Sequence, residues 1–406
     1  MATRRTPRTA DARSAPLLTR AALNRALLAR QYLLVRATVP VVTLVDHLVG
    51  LQAQLPRSPY TALWSRLAGF RHTDLSEALL DRRVARIAVM RGTIHLVTAD
   101  DALVLPGLTA PLYERDLRQN VVHGAALRTL DLAELTEAAR ALVEAEPRVS
   151  TELGGLLAER WPDVAPGSLA YGARGTLPLV QVTPRGVWGR SGATTWTTTR
   201  AWFGAERAAG APDLADPDVR AAELERLVLR YLAAFGPASV ADVQTWSGLR
   251  GLAAVVDGLR ERLVTFRAEP GPGSASGREL VDLPDAPRPD AEVPAPVRFL
   301  ADFDNLTLSH ADRTRVVSEE HRRALATKNG MAPGTVLVDG RVAGTWAVTR
   351  ERLDPGGVRA RRELATLTVR TFEPVEPATR TELLAEAEGL VRFVADDAAE
   401  HRAVLA

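Results

Sequence analysis

The sequence predicts an α+β protein in which short helices lead repeatedly into a two-stranded hairpin. Three observations predict it. Amphipathic helical segments are followed by hairpin-like strand pairs three times, near residues 87–97, 177–190 and 263–283. The pair Asp339-Gly340 between apolar runs is the strongest short hairpin signal in the chain, and 364–372 alternates like a further strand. The composition, 46% apolar and 25% charged, is that of an ordinary globular chain long enough for several domains. Helices followed by a hairpin form the pattern of a winged helix. The predicted architecture is therefore tandem winged-helix units with a C-terminal small β-barrel.

The elements justify this in order. Residues 1–16 are basic and Pro-containing and read as a disordered tail. Thr19 suits the cap of a helix burying Leu23, Leu27 and Leu34. A second helix follows Pro40, and Gly50 and Pro56 bracket its end. Ser58-Pro59 opens a third, with Tyr60, Leu63, Trp64 and Leu67 on one face. The hairpin turning near Gly92 completes a first unit, 17–148. A second unit, 149–204, repeats helices and a hairpin around Pro184-Arg185-Gly186. The stretch 205–218 reads as a linker. The third unit, 219–284, has helices at 223–235, 240–246 and 249–262, then a wing across the Gly/Pro/Ser loop 270–277. A small β-barrel or curved sheet is expected over 297–375 and a C-terminal helix over 376–406.

Charge and composition exclude several functions. With no cysteine there is no disulfide, thiolate metal site or cysteine nucleophile. The sequence has neither a phosphate-cradling glycine loop nor a GxSxG elbow. The first apolar stretch, 17–35, carries Arg20, Arg25 and Arg30, so it is an amphipathic helix and not a membrane span. A cytoplasmic protein is expected. Residues 1–150 hold 20 Arg against 14 Asp plus Glu, a net +6, which leaves −4 elsewhere. A basic N-terminal part suits a polyanion.

Gln52-Ala53-Gln54 is the stretch around which the rest is organised. Pro56 disfavours helix at Leu55, so an extended segment is plausible, and there residues i and i+2 point the same way. Two carboxamides on one side offer paired acceptors and donors for a water or a polar substrate edge. The same residues also suit a solvated helix end, and spacing alone does not choose.

Further motifs bring a family into view. They are Pro59-Tyr60 with Leu63-Trp64, the run 90–96, the run 184–189, Asp302-Phe303-Asp304-Asn305 with His310-Ala311-Asp312-Arg313, and the hairpin ending in Gly344-Thr345-Trp346. In this order and at these separations the chain resembles the winged-helix crosslink DNA glycosylases of the AlkZ/YcaQ type, over roughly 17–400. The resemblance implies removal of bulky alkylated purines from double-stranded DNA, including unhooking of interstrand crosslinks. Some such enzymes protect producers of DNA-alkylating toxins. It implies a catalytic Gln-apolar-Gln motif, matched by Gln52 and Gln54; the YcaQ type has an acidic residue at the second position. No cofactor or metal is expected, and the enzyme should act as a monomer.

Other candidates are weighed against ordinary roles. Arg91, Thr93 and His95 alternate and can share a face, so Arg91 and His95 are candidate DNA contacts; His95 equally suits a satisfied core histidine. Arg185 and Trp188, at an expected hairpin tip, can insert toward DNA, although Trp188 can also pack beneath the hairpin. Asp302, Asp304, His310 and Asp312 match no closed metal site, and a structural role is favoured. The competing function is a non-catalytic winged-helix transcriptional regulator. Its recognition helix would be 249–262, where Asp257 and Glu261 spoil a phosphate-binding face.

Overall fold

In the computed structural model the first helix, Arg20–Arg30, starts where the Thr19 hydroxyl accepts the Ala22 N–H at 3.1 Å. The structure describes residues 15–270, 277–327, 330–353 and 362–406. Most of the expected tail and most of the third hairpin's loop lie outside the described residues. Helices Val41–His47, Ser58–Arg66 and His72–Leu80 follow, then a hairpin of Val84–Ala88 and Ile94–Thr98. The long helix Ala99–Gln119 leads away to Leu132–Ala145, Ser150–Ala158 and Pro166–Thr176. Among the described residues no helix is long and apolar enough to cross a membrane.

The hairpins of the first two units do not stand apart. They merge into one six-stranded sheet, in the order 51–52, 94–98, 84–88, 179–181, 195–198, 148–149. The join is the antiparallel pairing Arg86↔Gln181 and Ile87↔Val180. Each hairpin thereby covers an edge that would otherwise expose unpaired N–H and C=O groups.

The third unit has Pro217–Phe235, Val240–Ser247 and Leu252–Gly258 as helices. Ser239 and Asp242 make a reciprocal capping box. The wing is Val264–Ala268 against Glu279–Asp282, and Leu17–Leu18 from the N-terminal end adds a parallel strand. The helix expected over 249–262 is shorter, because Gly248 (φ 81°) and Gly251 (φ 77°) hold left-handed backbone that delays its start to Leu252. Part of the expected linker is helical, at Ala205–Ala209.

The C-terminal barrel is a correction. The five strands Arg298–Leu300, Thr335–Val338, Arg341–Arg352, Glu363–Thr371 and Glu400–Leu405 form an open sheet in that order. The first and last strands do not pair with each other. Helix Pro377–Val394 instead lays Leu383, Ala387, Leu390 and Val391 against Phe299, Val336, Leu367 and Val369, and so buries one face without closure. The chain then returns as a strand parallel to Glu363–Thr371, so the expected 376–406 helix ends at Val394. The Asp-Gly turn forms as expected, with φ 45° at Asp339 and 76° at Gly340.

One core joins the first unit, the third unit and the start of the C-terminal region, from Leu44 and Leu63 through Met90 to Tyr231, Trp246 and Leu300. Across it runs a buried bidentate pair. Arg66 donates from Nη1 and Nη2 to the two Asp304 oxygens at 2.8 Å each, with side chains 1% and 3% exposed. Removing one partner of such a pair strands the other charge in the core. Asp304→Ala is therefore expected to cost about 3–5 kcal/mol of stability in urea unfolding. A loss near zero would show that Arg66 finds another acceptor.

Candidate active site

The Gln segment owes its position to a chain reversal. After helix Val41–His47, Val49 (φ 52°) and Gly50 (φ 94°) take left-handed backbone, and the Gly50 N–H donates back to the Val45 carbonyl at 2.9 Å. A Cβ at Gly50 would lie 2.8 Å from Val97 Cγ1, so only glycine fits the turn. The chain leaves it as the strand Leu51–Gln52, antiparallel to Ile94–Thr98, with Gln52 opposite His95. The Ala53 N–H donates to the Ile94 carbonyl at 2.7 Å, which carries the pairing one residue past Gln52, and the chain bends at Gln54.

Each carboxamide oxygen faces a group that can only donate. Gln52 Oε1 accepts from Arg91 Nη2 at 2.7 Å. Gln54 Oε1 faces the Ile94 N–H at 3.4 Å, a weak contact. Arg91 fixes the Gln52 oxygen inward, and each oxygen keeps a second lone pair. Gln52 is 7% exposed, whereas Gln54 is exposed. Neither carboxamide has a carboxylate partner.

Arg91 is not on a strand with His95. It sits in the 3₁₀ turn Met90–Gly92 at φ 55°, and the strand begins at Ile94. Its guanidinium is spent on protein: Nη2 donates to Gln52 and to Asn305 Oδ1, both at 2.7 Å, and Nη1 to the Trp246 carbonyl at 2.7 Å. Burial, with Arg313 nearby, lowers its pKa to about 10. It remains a cation at neutral pH, held by three neutral acceptors. The residue is half-buried, and three of its guanidinium N–H donors go to protein rather than to the phosphate contact expected from the sequence.

His95 is likewise a correction as a DNA contact, because it is fully buried. Its Nδ1 lies 3.1 Å from the Thr93 carbonyl and donates there, so Nε2 is a buried acceptor without a partner. Burial first, then Arg91, lowers its pKa to about 3.

Sequence reasoning missed Arg86. This guanidinium is 2% exposed; Nη2 donates to the Ala53 carbonyl at 2.7 Å, and Nε and Nη1 have no partner. Arg86 and Arg91 thus clamp the Gln segment, one at backbone and one at side chain. An arginine inside the apolar strand Val84-Ala85-Arg86-Ile87-Ala88 was the available signal. Asn305 was singled out only as part of a motif; here it links Arg91 to the Gly50 carbonyl, 3.4 Å from its Nδ2.

Arg185 and Trp188 lie at the loop end of the second hairpin, as expected, but folded back against the protein. They lie in the irregular connection between Leu179–Gln181 and Thr195–Thr198. Trp188 stacks on His72 at 3.9 Å, packs on Tyr60, and donates from Nε1 to Asp396 at 3.1 Å. Arg185 donates to the Gly192 carbonyl at 2.8 Å. Both line an open cleft of about 430 Å³ that begins at Leu55, the residue after Gln54.

Among the described residues no cluster of three or more His, Asp or Glu is placed to hold a metal. Asp304 pairs with Arg66, Asp312 with Arg278, and His310 Nε2 lies 3.0 Å from the Phe235 carbonyl. Asp302 has no such ion pair; its carboxylate is partnered by backbone N–H groups, its own and that of Gly334.

The merged hairpins carry a Gln-Ala-Gln segment braced by two arginines, Arg86 at its backbone and Arg91 at its side chain. The model of the AlkZ-like DNA glycosylases matches residues 45–393, and the chain belongs to that family. An interstrand DNA cross-link repair glycosylase from Streptomyces sahachiroi is 25% identical over 332 residues, spanning 80% of this chain and 86% of that relative. The solved structure of the S. sahachiroi DNA glycosylase AlkZ has the same fold, with a TM-score of 0.73 at 21% identity over 95% of this chain and 99% of that one.

His95 gives the site a pH signature. Its folded pKa, about 3, is depressed below the usual 6.5, so the unfolded chain takes up this proton first as pH falls. Its contribution is complete above about pH 6.5 and is lost toward about pH 3, at about 1.4 kcal/mol per pH unit. Urea unfolding of wild type and His95→Gln across this range checks it. The variant should lose stability less steeply, and parallel slopes would exclude His95 as the titrating group.

Proposed function

We propose that this glycosylase hydrolyses the N-glycosidic bond of bulky N7-alkylpurines in duplex DNA, with Gln52 and Gln54 placing the attacking water. The observation that carries the reading is the pair of carboxamides two residues apart beside the strand Ile94–Thr98, with the Gln52 oxygen held by Arg91 and the exposed Gln54 oxygen near the Ile94 N–H. An N7-alkylguanine is already cationic and leaves without protonation, so no strong general acid is required. What remains is positioning water and tolerating oxocarbenium character. Gln54, exposed, faces the substrate; Gln52, locked by Arg91, sets the second point of the water's position. The name of the S. sahachiroi relative supports extending the substrate to interstrand crosslinks. The enzyme is proposed to act as a cytoplasmic monomer in repair or in resistance to a DNA-alkylating toxin, without cofactor. Arg185 and Trp188 are proposed to meet the DNA beside the lesion, and Arg91 and His95 to position Gln52. The regulator reading loses support, because helix Leu252–Gly258 carries no basic residue and one Asp.

Gln52→Ala and Gln54→Ala are each expected to slow release of an N7-alkylguanine by roughly 10²-fold, about 2.7 kcal/mol. DNA affinity should hold, because neither residue carries charge and phosphate contacts dominate binding. Gln54→Ala should cost within about 0.5 kcal/mol of stability, whereas Gln52→Ala strips an acceptor from buried Arg91 and should cost about 1–3 kcal/mol. The double variant should lose less than the sum of the single losses, since both act on one water. Gln54→Asp should keep measurable release of cationic monoadducts. The assay is single-turnover release of alkylated base from a defined duplex. Wild-type rates in both alanine variants would refute the assignment.

A further inference from the structure

A second recess, of about 270 Å³, opens beside the cleft and shares Leu55, Arg57 and Trp188 with it. The proposed chemistry does not use it. Its wall includes Ser58, Asp302 and Trp346. Ser58 is 4% exposed, and its Oγ has no hydrogen-bond partner. Asp302 has only backbone N–H partners, and burial raises its pKa. Of the two guanidinium groups in the wall, only Arg350 is matched by carboxylates. Arg350 binds Asp397 and Glu363, and Arg57 lies 5.1 Å from the centre of the Trp188 ring.

Both indoles are fixed at their polar edges. Trp346 Nε1 donates to the Leu300 carbonyl at 2.9 Å, and Trp188 Nε1 to Asp396 at 3.1 Å. Two anchored aromatic rings beside an unpaired carboxylate form the set that recognises an organic cation. The volume falls below the roughly 300–1,000 Å³ typical of whole-ligand pockets, so it suits an arm of a substrate.

We propose that this recess receives the arm projecting from the alkylated base and selects arms that end in a protonated amine, with Asp302 accepting the ammonium N–H and Trp188 and Trp346 flanking the stem. The proposal rests on the glycosylase reading and names the adduct class it favours. Leu55 connects the two regions: it follows Gln54 directly and lines the recess.

The test uses two duplexes whose N7-alkylguanine arms have equal length and end in an ammonium or a hydroxyl group. Single-turnover release and equilibrium affinity are measured for both. The wild type should favour the ammonium arm by roughly tenfold, and Asp302→Asn, which keeps an acceptor for Gly334, should bring the ratio to about one. Trp346→Leu, which removes one of the two rings and keeps an apolar wall, should also lower the ratio and serves if Asp302→Asn does not fold. Equal handling of both arms by the wild type, or a preference that survives both substitutions, would overturn the proposal. The affinity ratio needs no turnover. Absence of release from either duplex would therefore strike the glycosylase reading, while the affinity ratio still decides the recess.

Discussion

The Arg91 guanidinium is the point on which the site depends. Its acceptors come from three parts of the chain: Gln52 in the first unit, the Trp246 carbonyl in the third, and Asn305 in the connection between the first two strands of the C-terminal sheet. Burying a guanidinium is costly unless its donors are met. Here they are met by a carboxamide, a carbonyl and another carboxamide. No carboxylate neutralises it, so the positive charge stays beside the Gln segment. That charge favours a polyanionic partner and disfavours extra positive charge at the reacting sugar. Acceleration should then come mainly from placing water and from a leaving group that already carries its charge.

Arg86 adds the complementary constraint from behind. It holds the Ala53 carbonyl, and a Cβ at Gly186 would come within 2.9 Å of its Cδ. The loop that carries Arg185 and Trp188 therefore rests on the same residue that braces the Gln segment. The Arg86↔Gln181 pairing fuses the two hairpins at this place. Fusion of the sheet, placement of the loop and rigidity of the motif are one packing solution. A hairpin on a free hinge could not hold Trp188 against Tyr60 and His72.

Local chemistry was legible in the sequence and long-range pairing was not. Gly50 and Pro56 announced that Gln52 and Gln54 leave the helix. Ser239 announced its cap, and Asp339-Gly340 its turn. Each is decided within a few residues. The shared six-stranded sheet depends on the 86–181 register, and no short window contains it. The final strand Glu400–Leu405 reads as polar, because it is an edge strand paired only to Glu363–Thr371. The barrel was expected from strand count alone, while closure is decided by helix Pro377–Val394 covering the sheet's face. Arg91 and His95 misled through alternation: the count by twos assumed a strand where a left-handed residue sits.

The exposure of Gln54 bears on how a bulky lesion is handled. An enzyme that extrudes a base encloses it in a fitted pocket, which a crosslinked base, tethered to the opposite strand, cannot enter easily. Here the Gln segment ends at an exposed residue, and the chain continues into two open recesses that share Leu55, Arg57 and Trp188. An adduct can lie along such a surface without leaving the duplex entirely. The aromatic and charged walls then meet the part of the lesion that distinguishes one alkylating agent from another. On the proposed reading, clamping sets the chemistry at Gln52 and Gln54, and the recesses beyond Leu55 meet the adduct. Rigid reactive groups beside an open specificity surface are what a glycosylase needs when its substrates share a glycosidic bond and differ in everything attached to the base.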